Sequence, residues 1–151
     1  MVSWQQVLDD APEFAATVQA RFEIRKHATM ATLRKDGSPR ISGTEVEFED
    51  GQLRLGSMPG ALKARDLRRD PRIALHSPTD DPPEATPSDW GGEAKIAGVA
   101  VELSDPDNDD DAHSFQVDVS EVVFTRVAPS GEHLVIQMWH PGRGLEEVQR
   151  R

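Results

Sequence analysis

Cysteine is absent from all 151 residues, which excludes disulfides, thiolate metal sites and cysteine nucleophiles. Apolar residues are scarce too, at 36%, and no apolar run reaches the roughly 18 residues of a membrane-spanning helix. Basic residues are missing from the opening segment, MVSWQQVLDDAPEF, so no secretory signal is read there and a cytoplasmic address is expected. The motifs of hydrolytic and nucleotide-cleaving chemistry are also absent: no G-x-S-x-G elbow, no H-E-x-x-H pair, no P-loop. His27, His76, His113, His133 and His140 are scattered without i, i+4 pairing on a predicted helix, so no metal site is expected. No internal repeat or low-complexity linker divides the chain. The expectation is a single domain over 1–151, with a helical segment at 1–26, a body at 27–140 and a tail at 141–151.

What is present is charge, unevenly placed. The net charge is -10, and the segment from Thr79 to Ala112 carries eleven acids against one base, Lys95. Such a surface repels phosphate backbones, so nucleic acid is not an expected partner. Between Arg54 and Arg72 the balance reverses, with six basic residues against Asp66 and Asp70. Arg65, Arg68 and Arg69 read as a solvated helix face paired with acids.

That basic island sits in a legible order of elements. Gln52-Leu53-Arg54-Leu55 alternates as a strand does, and Gly56-Ser57-Met58-Pro59-Gly60 then breaks the pattern. Ala61 to Arg69 are good helix formers, stopped by Asp70-Pro71. A helix N-terminus leaves N–H groups unpaired and carries partial positive charge, so the turn before Ala61 is a candidate anion site. Ser57 and Lys63 lie where an anion would sit.

Elsewhere the patterns predict short helices and many strands. Ser3-Trp4-Gln5-Gln6 and Asp10-Ala11-Pro12-Glu13 have capping-box spacing, and Phe14, Val18 and Phe22 share one helical face. His27 to Leu33 reads as a strand, as does Arg40 to Glu49, where Glu45, Glu47 and Glu49 alternate with Val46 and Phe48. Asp50-Gly51 suits a tight hairpin turn. Arg72 to Ser77 is the next strand, and Thr79 to Gly92 a proline-rich loop, with Trp90 read as pinning it to the body. Glu93 to Leu103 follows, with Gly98 a candidate bulge. Ser104 to Asp111 opens with the rhythm of a calcium loop but lacks its glycine and its closing glutamate, so it reads as a solvated acidic turn. Phe115 to Val119 and Val122 to Val127 read as one strand interrupted near Ser120, and His133 to His140 closes the sheet.

The ordered set Ala31-Thr32-Leu33, Asp36-Gly37-Ser38-Pro39-Arg40, Asp50-Gly51, Ser57, Lys63-Ala64-Arg65-Asp66-Leu67 and Arg69-Asp70-Pro71-Arg72 resembles the pyridoxamine 5'-phosphate oxidase-like split-barrel family. The likeness runs from about Thr29 to Leu75 and continues more weakly to Arg143. It implies a mainly β fold, a six- to seven-stranded antiparallel split β-barrel with N-terminal helices packed on it. It also implies a homodimer that holds FMN, or a deazaflavin coenzyme as in actinobacterial branches, at the subunit interface.

By position in the family's motifs, Lys63 and Ser57 would hold the phosphate, helped by the N–H groups near Ala61, and Met58 and Leu62 would be cofactor-binding beside them. Thr29, Met30, Ala31 and Thr32, with Ser42, would run beside the cofactor. Trp139 and Arg143 resemble the tail motif that reaches the site from the partner. The activity implied is hydride transfer to or from a small molecule, with no catalytic residue assigned. A non-catalytic barrel that binds flavin, haem or another planar ligand is the alternative. Two departures matter. The connection at Ser104 to Asp111 is short where the family often has a helix, and His140 and Arg143 do not reproduce the oxidases' substrate-phosphate pair, so the oxidase activity itself is not implied.

Overall fold

The structure, a computed structural model, describes every residue except Asp109. Two helices, α1 (Trp4–Asp10) and α2 (Pro12–Phe22), precede nine strands, and α3 (Leu62–Arg69) is inserted between the fourth and fifth. The strands are β1 (Ala28–Leu33), β2 (Pro39–Thr44), β3 (Val46–Glu49), β4 (Gln52–Ser57), β5 (Arg72–His76), β6 (Glu93–Glu102), β7 (His113–Val127), β8 (Leu134–His140) and β9 (Gly144–Arg150). They form one antiparallel sheet in the order β2-β1-β5-β6-β7-β4-β3, with β8 and then β9 continuing from β7. The mainly β split-barrel expectation holds, with nine strands in place of six or seven.

The helices cover one side of the sheet because their apolar spacing demands it. Trp4, Val7, Phe14, Val18 and Phe22 are all buried, and the Trp4 and Phe22 rings meet Phe48 edge to face at 4.9 and 5.9 Å. The Ser3–Gln6 capping box forms. The second expected box does not: Ala11 is the N-cap residue of α2 and no side chain caps it, while the Asp10 carboxylate instead accepts a hydrogen bond from Trp139 Nε1 at 2.6 Å. Burying an indole N–H without a partner costs more than leaving a solvated helix end uncapped.

The hairpin at Asp50-Gly51 has both central residues at positive φ, 52° and 73°, as its tight turn requires. The strand expected over Arg40 to Glu49 is split at Glu45, which lets β2 pair with β1 and β3 with β4. In the long loop, Trp90 Nε1 donates to the Asp80 carbonyl at 2.9 Å, and Arg21 pairs with the Asp80 carboxylate. The loop is therefore pinned to α2. The expected acidic turn includes Asp109, which lies outside the described residues.

β7 is one strand, as expected, and the interruption near Ser120 is a change of register within it. Phe115, Val117 and Val119 point inward on odd numbers, then Val122 and Phe124 on even ones. The change of parity is a bulge: Glu121 faces Ala97, Val119 faces Gly98, and Ser120 is the extra residue. Its Oγ donates to the Ala97 carbonyl at 3.1 Å. Gly98 is required opposite the bulge because a Cβ there would meet the Asp118 carbonyl oxygen at 2.1 Å. β6 accordingly turns Ala94, Ile96 and Ala100 inward and leaves Val99 and Val101 exposed.

The tail expected over 141–151 is the strand β9, paired along its length with β8. Leu145 and Val148 lie on opposite faces of it and both are exposed, so it carries no alternation for a sequence reading to detect.

Candidate functional site

β4 delivers the chain to the start of α3 through the turn Met58 to Ala61, where the Ala61 N–H returns to the Met58 carbonyl at 3.2 Å and Gly60 takes a positive φ of 70°. Ala61 is the N-cap and provides no side-chain cap. The amides of Leu62 and Lys63 open the helix and have no carbonyl one turn back to bind. A groove of about 660 Å³ lies beside them, lined by Gly43, Glu45, Arg54, Ser57, Met58 and Lys63 among others.

The polar groups of this groove are incompletely matched. Ser57 Oγ and Arg54 Nε are buried and have no hydrogen-bond partner. Such groups carry a desolvation cost that a bound acceptor would relieve. Lys63 Nζ donates to the Gly43 carbonyl at 2.8 Å, and its burial holds the ammonium below its ordinary pKa. Met58 is 80% exposed at the mouth. Glu45, Glu47 and Glu49 supply an acidic rim from the outer face of β3 and the residue before it.

On the other side of α3 the buried carboxylate is matched. Asp66 is buried and accepts from Thr32 Oγ1 at 2.7 Å, Arg40 Nε at 2.7 Å and Arg69 at 2.8 Å. Burial alone would raise its carboxyl, but those bonds together outweigh it and hold the group below the usual carboxylate value. Arg68 pairs with Glu102 at 2.7 Å. The expected pairing of this helix face is thus present at Arg68 and Arg69, while among the described residues no acid pairs with Arg65.

The structure brings together Ser57, Met58 and Lys63 and distributes the remaining expected residues elsewhere. Leu62 is exposed on the opposite flank, in a basic depression with Arg34, Arg40, Arg65 and Arg69. Met30 is core, and the hydroxyl of Thr32 is engaged by Asp66. Ser42 faces Met30 across the β1–β2 pair and is half-buried. Thr29 and Ala31 lie on the outer sheet face, in a separate depression of about 510 Å³ with Ile41, Ala74 and His76. Trp139 is 2% exposed and bonded to Asp10, while Arg143 is exposed in the β8–β9 turn.

Two groups at the site went unnoticed in the sequence. Arg54 carried a signal, as the basic residue that alternation places opposite the core-facing Leu53 and Leu55. His113 carried none, because its place depends on β7 meeting β4 so that it pairs with Ser57. Its Nε2 accepts from the Gly60 N–H at 3.0 Å, so this amide is not open to a ligand as the turn stands. Among the described residues, no cluster of His, Asp and Glu could hold a metal ion, and no helix is long and apolar enough to cross a membrane.

Comparison with known proteins shows the family and the fold. The family model described as pyridoxamine 5'-phosphate oxidase matches residues 14–136. PhzG from Burkholderia lata 383, solved with tetrahydrophenazine-1-carboxylic acid, is similar in structure with a TM-score of 0.65 at 14% identity, covering 93% of this chain and 89% of its own. A pyridoxamine 5'-phosphate oxidase-related, FMN-binding protein from Nostoc punctiforme PCC 73102 has a TM-score of 0.62 at 10% identity, with 93% and 96% covered. An F420 reductase has a TM-score of 0.52 at 15% identity, with 69% and 94% covered.

Proposed function

Because the chain belongs to the pyridoxamine 5'-phosphate oxidase family, we propose that the groove at the start of α3 holds the phosphate of a flavin nucleotide and that the protein is a flavin-dependent oxidoreductase. The observation that carries this reading is the unpartnered, buried Ser57 Oγ beside an uncapped helix N-terminus and the Lys63 ammonium. These donors fit a phosphate monoester. Ser57 would donate its hydroxyl proton, the Leu62 and Lys63 amides would add theirs, and Lys63 would turn from the Gly43 carbonyl to supply charge. FMN is the first candidate; a deazaflavin coenzyme is the second, by likeness of fold to the F420 reductase. When bound, either ring supplies hydride transfer to or from a small molecule, and the chain's task is to bind, orient and shield it.

Thr29, Ala31 and Arg143 lie outside the groove, which supports a homodimer in which a second copy completes the site. Sedimentation of the purified protein as a monomer at micromolar concentration would overturn that assembly. Titration with FMN and with the deazaflavin coenzyme, followed by absorbance and fluorescence, tests the cofactor reading. Saturable binding that weakens in Lys63→Ala supports it, and binding that ignores this substitution removes the site assignment. Oxidation of reduced nicotinamide or reduced deazaflavin by the loaded protein separates an enzyme from a barrel that only binds.

A further inference from the structure

His113 is 2% exposed, and both of its ring nitrogens face donors. Nε2 lies 3.0 Å from the Gly60 backbone nitrogen, and Nδ1 lies 3.0 Å from a terminal nitrogen of Arg68. A guanidinium donates only, as does a backbone N–H, while a neutral imidazole has one N–H and one lone pair. The two contacts therefore cannot both be hydrogen bonds at once. With the lone pair on Nε2 the Gly60 amide is bonded inward and the Nδ1–H opposes Arg68. With the lone pair on Nδ1 the ring accepts from Arg68, and the Gly60 amide loses its acceptor.

Neither the ring nor the arginine can move away cheaply. His113 opens β7 and pairs with Ser57 in the sheet, and Arg68 is held by both carboxylate oxygens of Glu102, at 2.7 and 3.2 Å. The turn is the adjustable partner. Gly60 already holds a positive φ, and without a side chain it can reorient the peptide at little steric cost.

Resting on the flavin-phosphate reading above, we propose that His113 regulates the anion site through its tautomer. The Nδ1–H form keeps the Gly60 amide inside the turn, and the Nε2–H form releases it to join the Leu62 and Lys63 amides on an anion. A ligand that uses that amide must favour the second form, and by reciprocity the second form must bind the ligand more tightly. The ligand class is a phosphate monoester. His113 is thus a positioning residue, acting through Gly60.

The test is a long-range 1H–15N correlation spectrum of the histidine rings in the full-length labelled protein, titrated with FMN and separately with inorganic phosphate. The expected result is conversion of His113 from the Nδ1–H to the Nε2–H pattern, with a shift of the Gly60 amide at the same ligand concentration. Lys63→Ala should reach the same end point at higher ligand concentration. His113→Gln, whose amide oxygen can hold the Gly60 N–H permanently, should bind FMN about tenfold more weakly. Saturable binding with His113 unchanged in tautomer overturns the proposal and leaves the flavin reading standing. No saturable binding of either ligand overturns the flavin reading and this proposal with it. The wild-type spectra decide the matter even where His113→Gln does not fold.

Discussion

α3 is held by two polar clusters that differ in one respect. Around Asp66, three donors from three elements converge on one carboxylate and every group is matched. At the N-terminal end, a serine hydroxyl and an arginine Nε are buried unmatched, and the helix has no side-chain cap. The satisfied cluster locks the helix onto β1 and β2. The unsatisfied one is the part that a ligand would complete under the proposed function, since unmatched buried donors are tolerated where a function uses them.

Substitutions can break this contrast in order of effect. Asp66→Ala should be the most damaging to stability, by about 3 kcal/mol in urea unfolding, because it strands Thr32 and two guanidinium groups around an emptied site. Lys63→Ala should do the reverse: FMN affinity falls by at least about tenfold while the unfolding midpoint barely moves. Ser57→Ala sharpens the point. It should raise stability by about 1 kcal/mol, since it removes a buried hydroxyl whose desolvation nothing offsets, yet weaken FMN binding several-fold.

Acid titration gives a further contrast. Asp66 is held below the usual carboxylate value of 3.8, so its contribution is present above that pH and is lost as pH falls through its lowered value. Asp66→Asn should therefore flatten the acid limb of the stability profile. The smallest effect belongs to Asp70, lowered to about 2 by its exposed pairing with Arg72, where Asp70→Asn should alter only the steepest acid end.

How much of this was readable in the sequence depended on whether a residue's role is local. The alternation of Glu45 to Glu49, the Asp50-Gly51 turn and the apolar face of α2 are local patterns, and each has its expected place. So are Ser57 and Lys63, which a turn and a helix start set side by side. Facing is not local. Met30 and Thr32 alternate with Thr29 and Ala31, and only the packed sheet decides which pair turns inward. Trp139 was out of reach for the same reason, since its partner Asp10 lies 129 residues away in the chain. β9 escaped notice because a strand exposed on both faces has no reason to alternate.

The bulge at Ser120 has a consequence for how this chain can vary in length. Its side chain is exposed, so many residues could replace serine there; the position itself cannot be dropped. Deleting one residue would leave β7 with a single phase, and either Phe115, Val117 and Val119 or Val122 and Phe124 would be turned out into water. The longest strand is therefore counted as well as spelled, and an insertion or deletion within it would have to be matched by a second one on the same strand to restore the phase.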